Sequence, residues 1–527
     1  MPSFVARQPC DEGELRAKHR PRICPQRDKP WVLATSILGS SLAFIEGSVV
    51  NLALPAMQSG LDIDSTAVQW VMNAYLLVLG SFMLAGGSLG DRFGLRRVFI
   101  MGNAVFGLGA LGCALASSLP LLLAARCVQG LGGALLVPAS LALIGSHFSE
   151  EERGRAIGTW AGASALTTAI GPVLGGLLVD QWGWPAVFWL VVPLAVMTLS
   201  IAAWRVPADT AREGPLDYAG ALLLAASLAT LIYGLVDPAS GSHRAIFAGL
   251  AVVLAVAFIW RERHFTSPLL PLSLFSSKGF SGANLMTFML YAAMSGALYF
   301  LPFNLIQVQG YSATAAGGAF LPMTLMLGLG STFAGDLIRR FDPRVVLTLG
   351  PIVAGVGFLA LALPGTDASY VTGFLPAILI IGVGMTISVA PLTTVIMSAV
   401  AEHQTGVASG INNTVARLAG VIAVAVLTGV AIGSFSSSLE DYLRELEVPA
   451  AVTEELLSNA ARLAESSPPE DLLPGVARAI EAAIAYSYVD AFRLTAIICG
   501  LLAIGSGLAA WLTLGDRGRR KEATRGS

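Results

Sequence analysis

The stretch that decides the fold is WVLATSILGSSLAFIEGSVVNLALPAM, Trp31–Met57, in which Glu46 is the single ionisable side chain among 27 residues. A helix of about 20 mostly apolar residues crosses the roughly 30 Å of hydrocarbon in a bilayer, so Trp31–Met57 is long enough to span one. Glu46 sits about 15 residues into that span, some 22 Å along a helix axis, past the middle and toward the far side. A charged side chain at such depth costs at least about 2.5–3.5 kcal/mol, so an acid placed there faces a cavity or a partner and is functional by default. Withdrawal from water makes a carboxylate hold its proton more tightly, which is what a proton carrier requires. The competing reading is a structural acid that locks helices together by hydrogen bonds.

The rest of the chain agrees with a membrane setting. Of its 527 residues, 55% are apolar and only 13% are charged, and the mean hydropathy is +0.71. A soluble domain carries about 25% charge, and half of that cannot cover a water-facing surface. Fourteen segments qualify as spans: 31–57, 67–90, 96–118, 119–146, 154–179, 184–204, 216–236, 245–261, 279–308, 312–338, 344–363, 371–398, 406–433 and 490–514. The seventh and eighth are the least marked. With the N-terminus inside, 25 of the 32 Lys and Arg fall on the cytoplasmic side. That alternation predicts an even number of spans with both termini in the cytoplasm.

Outside the spans lie a basic tail over 1–30, a short tail over 515–527 and a polar outer loop over 434–489. The tail lacks the cleavage site of a signal peptide, so Trp31 onward reads as a true span. The outer loop holds ten acids against three arginines, with helical periodicity at Leu439–Leu446 and Val476–Ile484. An acidic vestibule that concentrates cations and a plain shortage of outer Lys/Arg both account for it. The five cysteines read as free thiols, and the five histidines fall in tails, loops or helix ends. A net charge of −2 gives no sign of a nucleic-acid partner, and none is expected. No phosphate-binding loop precedes a helix, no metal-ligand spacing is present and no nucleophile–base pair stands out. ATP is therefore not the expected energy source, no cofactor is expected, and an enzyme is disfavoured.

The two halves echo each other. Gly87-Ser-Leu-Gly-Asp91-Arg92-Phe93-Gly-Leu-Arg96 overlays Gly335-Asp-Leu-Ile-Arg339-Arg340-Phe341-Asp-Pro-Arg344 at a constant offset of 248. Parallel repeats about an axis along the membrane normal are one transporter design, with the substrate site between halves near the midplane.

Gly87-Ser-Leu-Gly90-Asp91-Arg92-Phe93-Gly94-Leu-Arg96-Arg97 resembles the signature loop between the second and third helices of the major facilitator superfamily. Gly171-Pro172-Val-Leu-Gly175-Gly176 resembles the antiporter motif of that superfamily's proton-coupled exporters, and Arg126-Cys-Val-Gln129-Gly130 resembles another of its motifs. Val49-Val50-Asn51-Leu-Ala-Leu-Pro55, Leu216-Asp217-Tyr-Ala-Gly220 and Gly406-Val-Ala-Ser-Gly410-Ile-Asn412-Asn413 resemble features of the fourteen-span drug:proton antiporter family. The likeness runs from about Trp31 to Leu514. It departs in having Glu46 where Asp is usual, Trp182-Gly183-Trp184 where an Arg is common in the middle, and Arg417-Leu418-Ala419-Gly420 in place of Arg-Gln-X-Gly.

The resemblance implies an all-α integral membrane protein of the major facilitator fold with 14 transmembrane helices. Its parts would be an N-terminal six-helix bundle over 31–205, two extra linker spans over 206–278 and a C-terminal six-helix bundle over 279–514. It further implies a latch on the cytoplasmic side made by Gly87, Gly90, Asp91, Arg92, Gly94, Arg96 and Arg97, with a positive-inside anchor as the simpler alternative. Gly171, Pro172, Gly175 and Gly176 would pack a tight seal between halves that favours exchange.

Arg126 begins about six residues into its span, about 9 Å deep, while Glu46 lies about 16 Å from the same surface. A long Arg side chain bridges the gap of about 7 Å, so a Glu46–Arg126 pair is expected. The alternative is that Arg126 snorkels and organises waters or carbonyls alone. Further cavity candidates are Asn51, Asn73, Tyr75, Gln129, Trp160, Tyr291, Asn304, Gln307, Asn412 and Asn413, each of which also reads as a helix-packing hydrogen bond.

The function so implied is a proton-coupled antiporter in the cell membrane, exporting amphipathic drugs or a similar small compound. A dedicated exporter of one natural product, and a proton–solute importer on the same fold, are the alternatives. A cavity with few charges suits lipophilic or singly cationic cargo. The need for a periplasmic partner protein is left open.

Overall fold

The computed structural model describes residues 27–148, 150–207, 217–236, 241–266, 268–400, 405–468 and 472–514. Most of the two expected tails, and the loop around Arg212, therefore lie outside the described residues.

Every described element is helical. The first six helices are α1 (Lys29–Leu61), α2 (Ser65–Phe93), α3 (Leu95–Ala114), α4 (Leu119–His147), α5 (Glu150–Trp182) and α6 (Ala186–Arg205). They pack chiefly on one another, α1 against α4, α5 and α6, and α3 against α4 and α6. Then come α7 (Tyr218–Val236) and α8 (Gly241–His264), a pair that leans through α7 on α2 and α14. The remaining α-helices are α9 (Lys278–Phe303), α10 (Ala313–Ala319), α11 (Leu321–Arg340), α12 (Pro343–Ala360), α13 (Leu375–Ser398), α14 (Thr405–Glu445), α15 (Ala450–Ser458) and α16 (Pro474–Thr513). Within this second set α9 packs on α14 and α16, and α12 on α13 and α16. The two sets meet along α2–α14 and where α5 crosses α10 and α11.

Among the described residues, ten helices are long and apolar enough to cross a bilayer, or eleven with α1, which bends by 40° between Gly47 and Val49. The described apolar stretch of α7 is Tyr218–Gly234 and that of the segment expected at 312–338 is Ala313–Gly328, both shorter than that measure. Within the latter segment α10 and α11 divide at Phe320. The polar outer loop at 434–489 is largely helix: α14 runs 41 residues, about 60 Å and twice the hydrocarbon thickness, so its end stands clear of the membrane.

Local chemistry explains the joints. Asp64 caps α2 by accepting from the Ala67 amide at 2.7 Å. Gly94 joins α2 to α3 at φ 94°, a conformation that disfavours any side chain. The sequence repeat is also a structural one. Arg96 donates to the carbonyls of Ala202 and Ala203 at the end of α6. Its counterpart Arg344 donates to the Trp511 carbonyl at 2.8 Å near the end of α16 and stacks 3.9 Å from that indole ring. Each arginine thus satisfies C-terminal carbonyls that have no partner within their own helix.

Candidate functional site

Glu46 on α1 and Arg126 on α4 form an ion pair in which both side chains are only 1% exposed. Three helices hold it. Arg126 Nε donates to the Val71 carbonyl of α2 at 3.0 Å, and Nη1 donates to both Glu46 Oε1 and Gln129 Oε1, the latter at 2.8 Å. The guanidinium lies 4.4 Å from the centre of the Tyr75 ring and 5.8 Å from that of Phe188. A buried charge survives only when paired and hydrogen-bonded, and this one has both provisions. The sequence places Gln129 three residues after Arg126, on the same helix face.

In front of the pair lies a cavity of about 370 Å³. Its wall comes from α1, α2, α4 and α5 on one side and α9, α11 and α14 on the other, with Phe320 supplied between α10 and α11. The volume falls in the range of drug-sized sites. Met72, Met294 and Met323 line it, and unbranched thioethers suit a wall that must fit varied shapes. Hollows of about 430 and 560 Å³ also occur, but they are shallow and formed around 365–493 and 440–458, away from the seam and the ion pair.

Of the candidate cavity residues, Asn51, Tyr75, Tyr291 and Asn413 line this space, together with Arg126 and Pro172. The others sit elsewhere. Asn73 is fully buried on α2 with neither side-chain polar atom hydrogen-bonded among the described residues. Gln129 stands behind Arg126. Trp160 donates to Ser40 at 2.9 Å, tying α5 to α1. Asn304 is buried in a turn at the end of α9, with Gln307 in the same turn. Asn412 donates to Thr287 at 2.6 Å and ties α14 to α9.

Gly176 of α5 and Gly317 of α10 bring the two sets into backbone contact. A Cβ at Gly176 would collide with the backbone of Ala313 and Thr314, and one at Gly317 with the carbonyl of Pro172. Gly175 packs against Val49 of α1 and Gly171 is buried. Beside them Asp180, exposed at the end of α5, accepts from the amides of Ala313 at 3.0 Å and Thr314 at 2.8 Å. Those amides open α10 and have no partner in their own helix. Burial raises the pKa of Asp180, but the bonds from Thr314, Ala313 and Ser312 outweigh it and hold the carboxyl below its ordinary value.

Of the 87–97 loop, Gly87 and Gly90 lie in the last turns of α2, while Arg92 and Arg97 are exposed. Arg96 makes the α6 cap already described, and the side chain of Asp91 lies outside the described residues.

Two features escape the sequence reading. Arg417 of α14 stands on the cavity wall. Its signal was its place as an ionisable residue inside a span. Ser65, Gln69 and Asn73 repeat at four-residue spacing on α2, all buried and each with an unpartnered polar atom among the described residues.

The sequence profile described as Major Facilitator Superfamily matches residues 36–424. The chain belongs to the major facilitator superfamily. It is a multi-pass transporter of the plasma membrane and not an enzyme. Among its relatives, "Multidrug resistance protein Stp" of Mycobacterium tuberculosis is 32% identical over 82% of this chain and 81% of that one. The "Tetracenomycin C resistance and export protein" of Streptomyces glaucescens is 30% identical over 92% of both. The "Cephamycin export protein CmcT" of Amycolatopsis lactamdurans is 34% identical over 75% of this chain and 84% of that one. Of solved structures, an inward-facing, occupied bacterial homologue of the human lysosomal transporter Spinster superposes with a TM-score of 0.65, at 17% identity, covering 93% of this chain and 98% of that one. That last likeness is one of fold.

Proposed function

We propose that this superfamily member is a proton-coupled antiporter that exports small amphipathic organic compounds by alternating access. The observation that carries the reading is the Glu46–Arg126 pair, fully buried behind a cavity shared by both sets of helices. In the ionised state Glu46 neutralises Arg126. When Glu46 takes up a proton, Arg126 keeps Val71 and Gln129 as acceptors but loses its counter-charge. The pair is thus a switch whose two states differ in charge inside a low-dielectric core. Protonation and cargo binding would favour opposite-facing conformations, and their alternation gives exchange.

The interlocked glycines of α5 and α10 support a tight seal on the side that the charge distribution assigns to the exterior, and the 87–97 loop would latch the opposite side when the protein opens outward. Fourteen spans follow if α1, α5, α7 and the α10–α11 pair each cross the bilayer along with the ten apolar helices, which keeps the even number that the charge alternation requires. Relatives named for export support the outward direction. Dedicated export of one natural product is a narrower form of the same mechanism, and relatives carry names of both kinds.

Everted membrane vesicles test this. A panel of dyes and antibiotics added to respiring vesicles should include compounds that accumulate inside, and their addition should discharge the pH gradient. Accumulation in right-side-out vesicles together with inward proton movement would instead establish an importer.

A further inference from the structure

We propose that Arg417 is the docking point for an acidic group, so that the cargo is an organic anion: an apolar body carrying a carboxylate, sulfonate or similar head. This rests on reading the central cavity as the cargo site. The wall contains two ionisable cations, Arg126 and Arg417, and no Asp or Glu. The charge of Arg126 is taken by Glu46. No ion pair joins Arg417 to a carboxylate among the described residues, and the phenols of Tyr75 and Tyr291 share the cavity wall with it. A guanidinium stays protonated in any protein environment, so this charge is permanent.

An uncompensated charge inside a membrane protein is costly and marks a ligand or ion path. Here the place for the missing counter-charge is the cavity itself. A guanidinium presents a planar fork that suits two carboxylate oxygens at once. Around it are further donors: Asn413, one turn earlier on the same face of α14, and Tyr75, which is 1% exposed with its hydroxyl unpartnered among the described residues. The methionines and Phe320 offer the apolar remainder of the wall. The lipophilic or cationic cargo expected from a charge-poor cavity would meet two guanidiniums instead.

Recognition and coupling then rest on different arginines, Arg417 for the acid and Arg126 for the proton-binding carboxylate. Protonation of Glu46 adds positive charge behind the wall, so acid and proton attract within any one state. Exchange therefore requires that they load in opposite-facing states, rather than compete at one site.

The test is equilibrium binding of two xanthene dyes, anionic fluorescein and cationic rhodamine 6G, to the purified full chain in nanodiscs. The wild type should bind fluorescein more tightly. Arg417→Gln should weaken fluorescein by about tenfold or more, the loss of a charge-assisted pair, without weakening rhodamine 6G. Arg417→Lys, which keeps the charge but not the planar fork, should recover part of the affinity. Rhodamine 6G bound as tightly as fluorescein, no fluorescein binding, or fluorescein binding untouched by Arg417→Gln would each overturn the proposal. Should Arg417→Gln aggregate, the wild-type order of the dyes and the Arg417→Lys protein decide the matter. Binding needs no gradient, so acid preference without proton exchange defeats only the antiport reading, and proton exchange with a cation defeats only this one.

Discussion

Gly176 of α5 and Gly317 of α10 interlock: each lies where a single added carbon would strike the other helix's backbone, at Ala313 and Thr314 in one direction and Pro172 in the other. A backbone cannot rotate away as a side chain can, so the approach depends on both residues lacking a Cβ. These contacts join the two sets of helices beside the cavity, and they make the seal sensitive to one methyl group.

Gly176→Val and Gly317→Val should each force the outer ends of α5 and α10 apart. A change of only about 1.4 kcal/mol in the balance between states shifts their ratio about tenfold. Spin labels at Gln181 and Asp367, both exposed and in different sets, should report a longer distance in either variant. The same variants should leak protons faster in reconstituted vesicles. An unchanged distance and a tight vesicle would mean that the helices accommodate the carbon elsewhere.

Asp180 adds an electrostatic clasp to the same junction. Its folded pKa is lowered, so its contribution is present above the ordinary carboxylate value of about 3.9 and is lost as pH falls through the lowered one. The seal should therefore be independent of pH from neutrality down to about 5 and weaken only below about 4. Asp180→Asn keeps the shape but loses the charge, and should destabilise the start of α10 toward the low end of the 0.5–2 kcal/mol typical of a cap, because the site is exposed. Spin-label distances across the junction, recorded against pH for both proteins, check this.

The ion pair should show strong non-additivity. Arg126→Gln or Glu46→Leu leaves one buried charge alone, and breaking such a pair costs about 3–5 kcal/mol. The double variant Glu46→Leu/Arg126→Gln removes both charges and should be more stable than either single one. Thermal unfolding in detergent measures all four proteins. Simple addition of the two losses would show that the side chains do not act as a pair.

Much of this was legible in the sequence, for reasons that can be named. Glu46 stood out because an apolar run of its length tolerates a charge only for a purpose. The offset of 248 between the two loops pointed to Arg96 and Arg344, and both prove to cap the last helix of their own set. The rotation of each helix about its axis was not legible, because spans apolar on every side carry little periodicity. Asn412 and Asn413 are neighbours, yet one binds Thr287 between helices and the other faces the cavity. Arg417 was visible as a charge inside a span, but only folding shows that it faces the seam without a carboxylate. The break at Phe320 has no glycine or proline at the residue itself; Pro322 follows two residues later, inside the first turn of α11, where proline also serves as a normal helix start.

The repeat makes its own prediction. Arg96→Ala and Arg344→Ala remove equivalent caps, and each should lower stability by up to about 1.5–3 kcal/mol, the range for a hydrogen bond involving a charged group. Arg344→Lys should recover only part, since lysine lacks the planar fork that stacks on Trp511. Melting curves in detergent decide it, and a loss confined to one of the two would break the equivalence.

The most direct measurement is proton–cargo exchange by the purified protein in liposomes, comparing wild type, Glu46→Asp and Glu46→Gln under an imposed pH gradient. Wild type and Glu46→Asp should exchange protons for cargo. Glu46→Gln, still folded and still binding cargo, should move no protons and drive no uphill transport. Full proton-driven exchange by a folded Glu46→Gln protein would contradict the role assigned to Glu46.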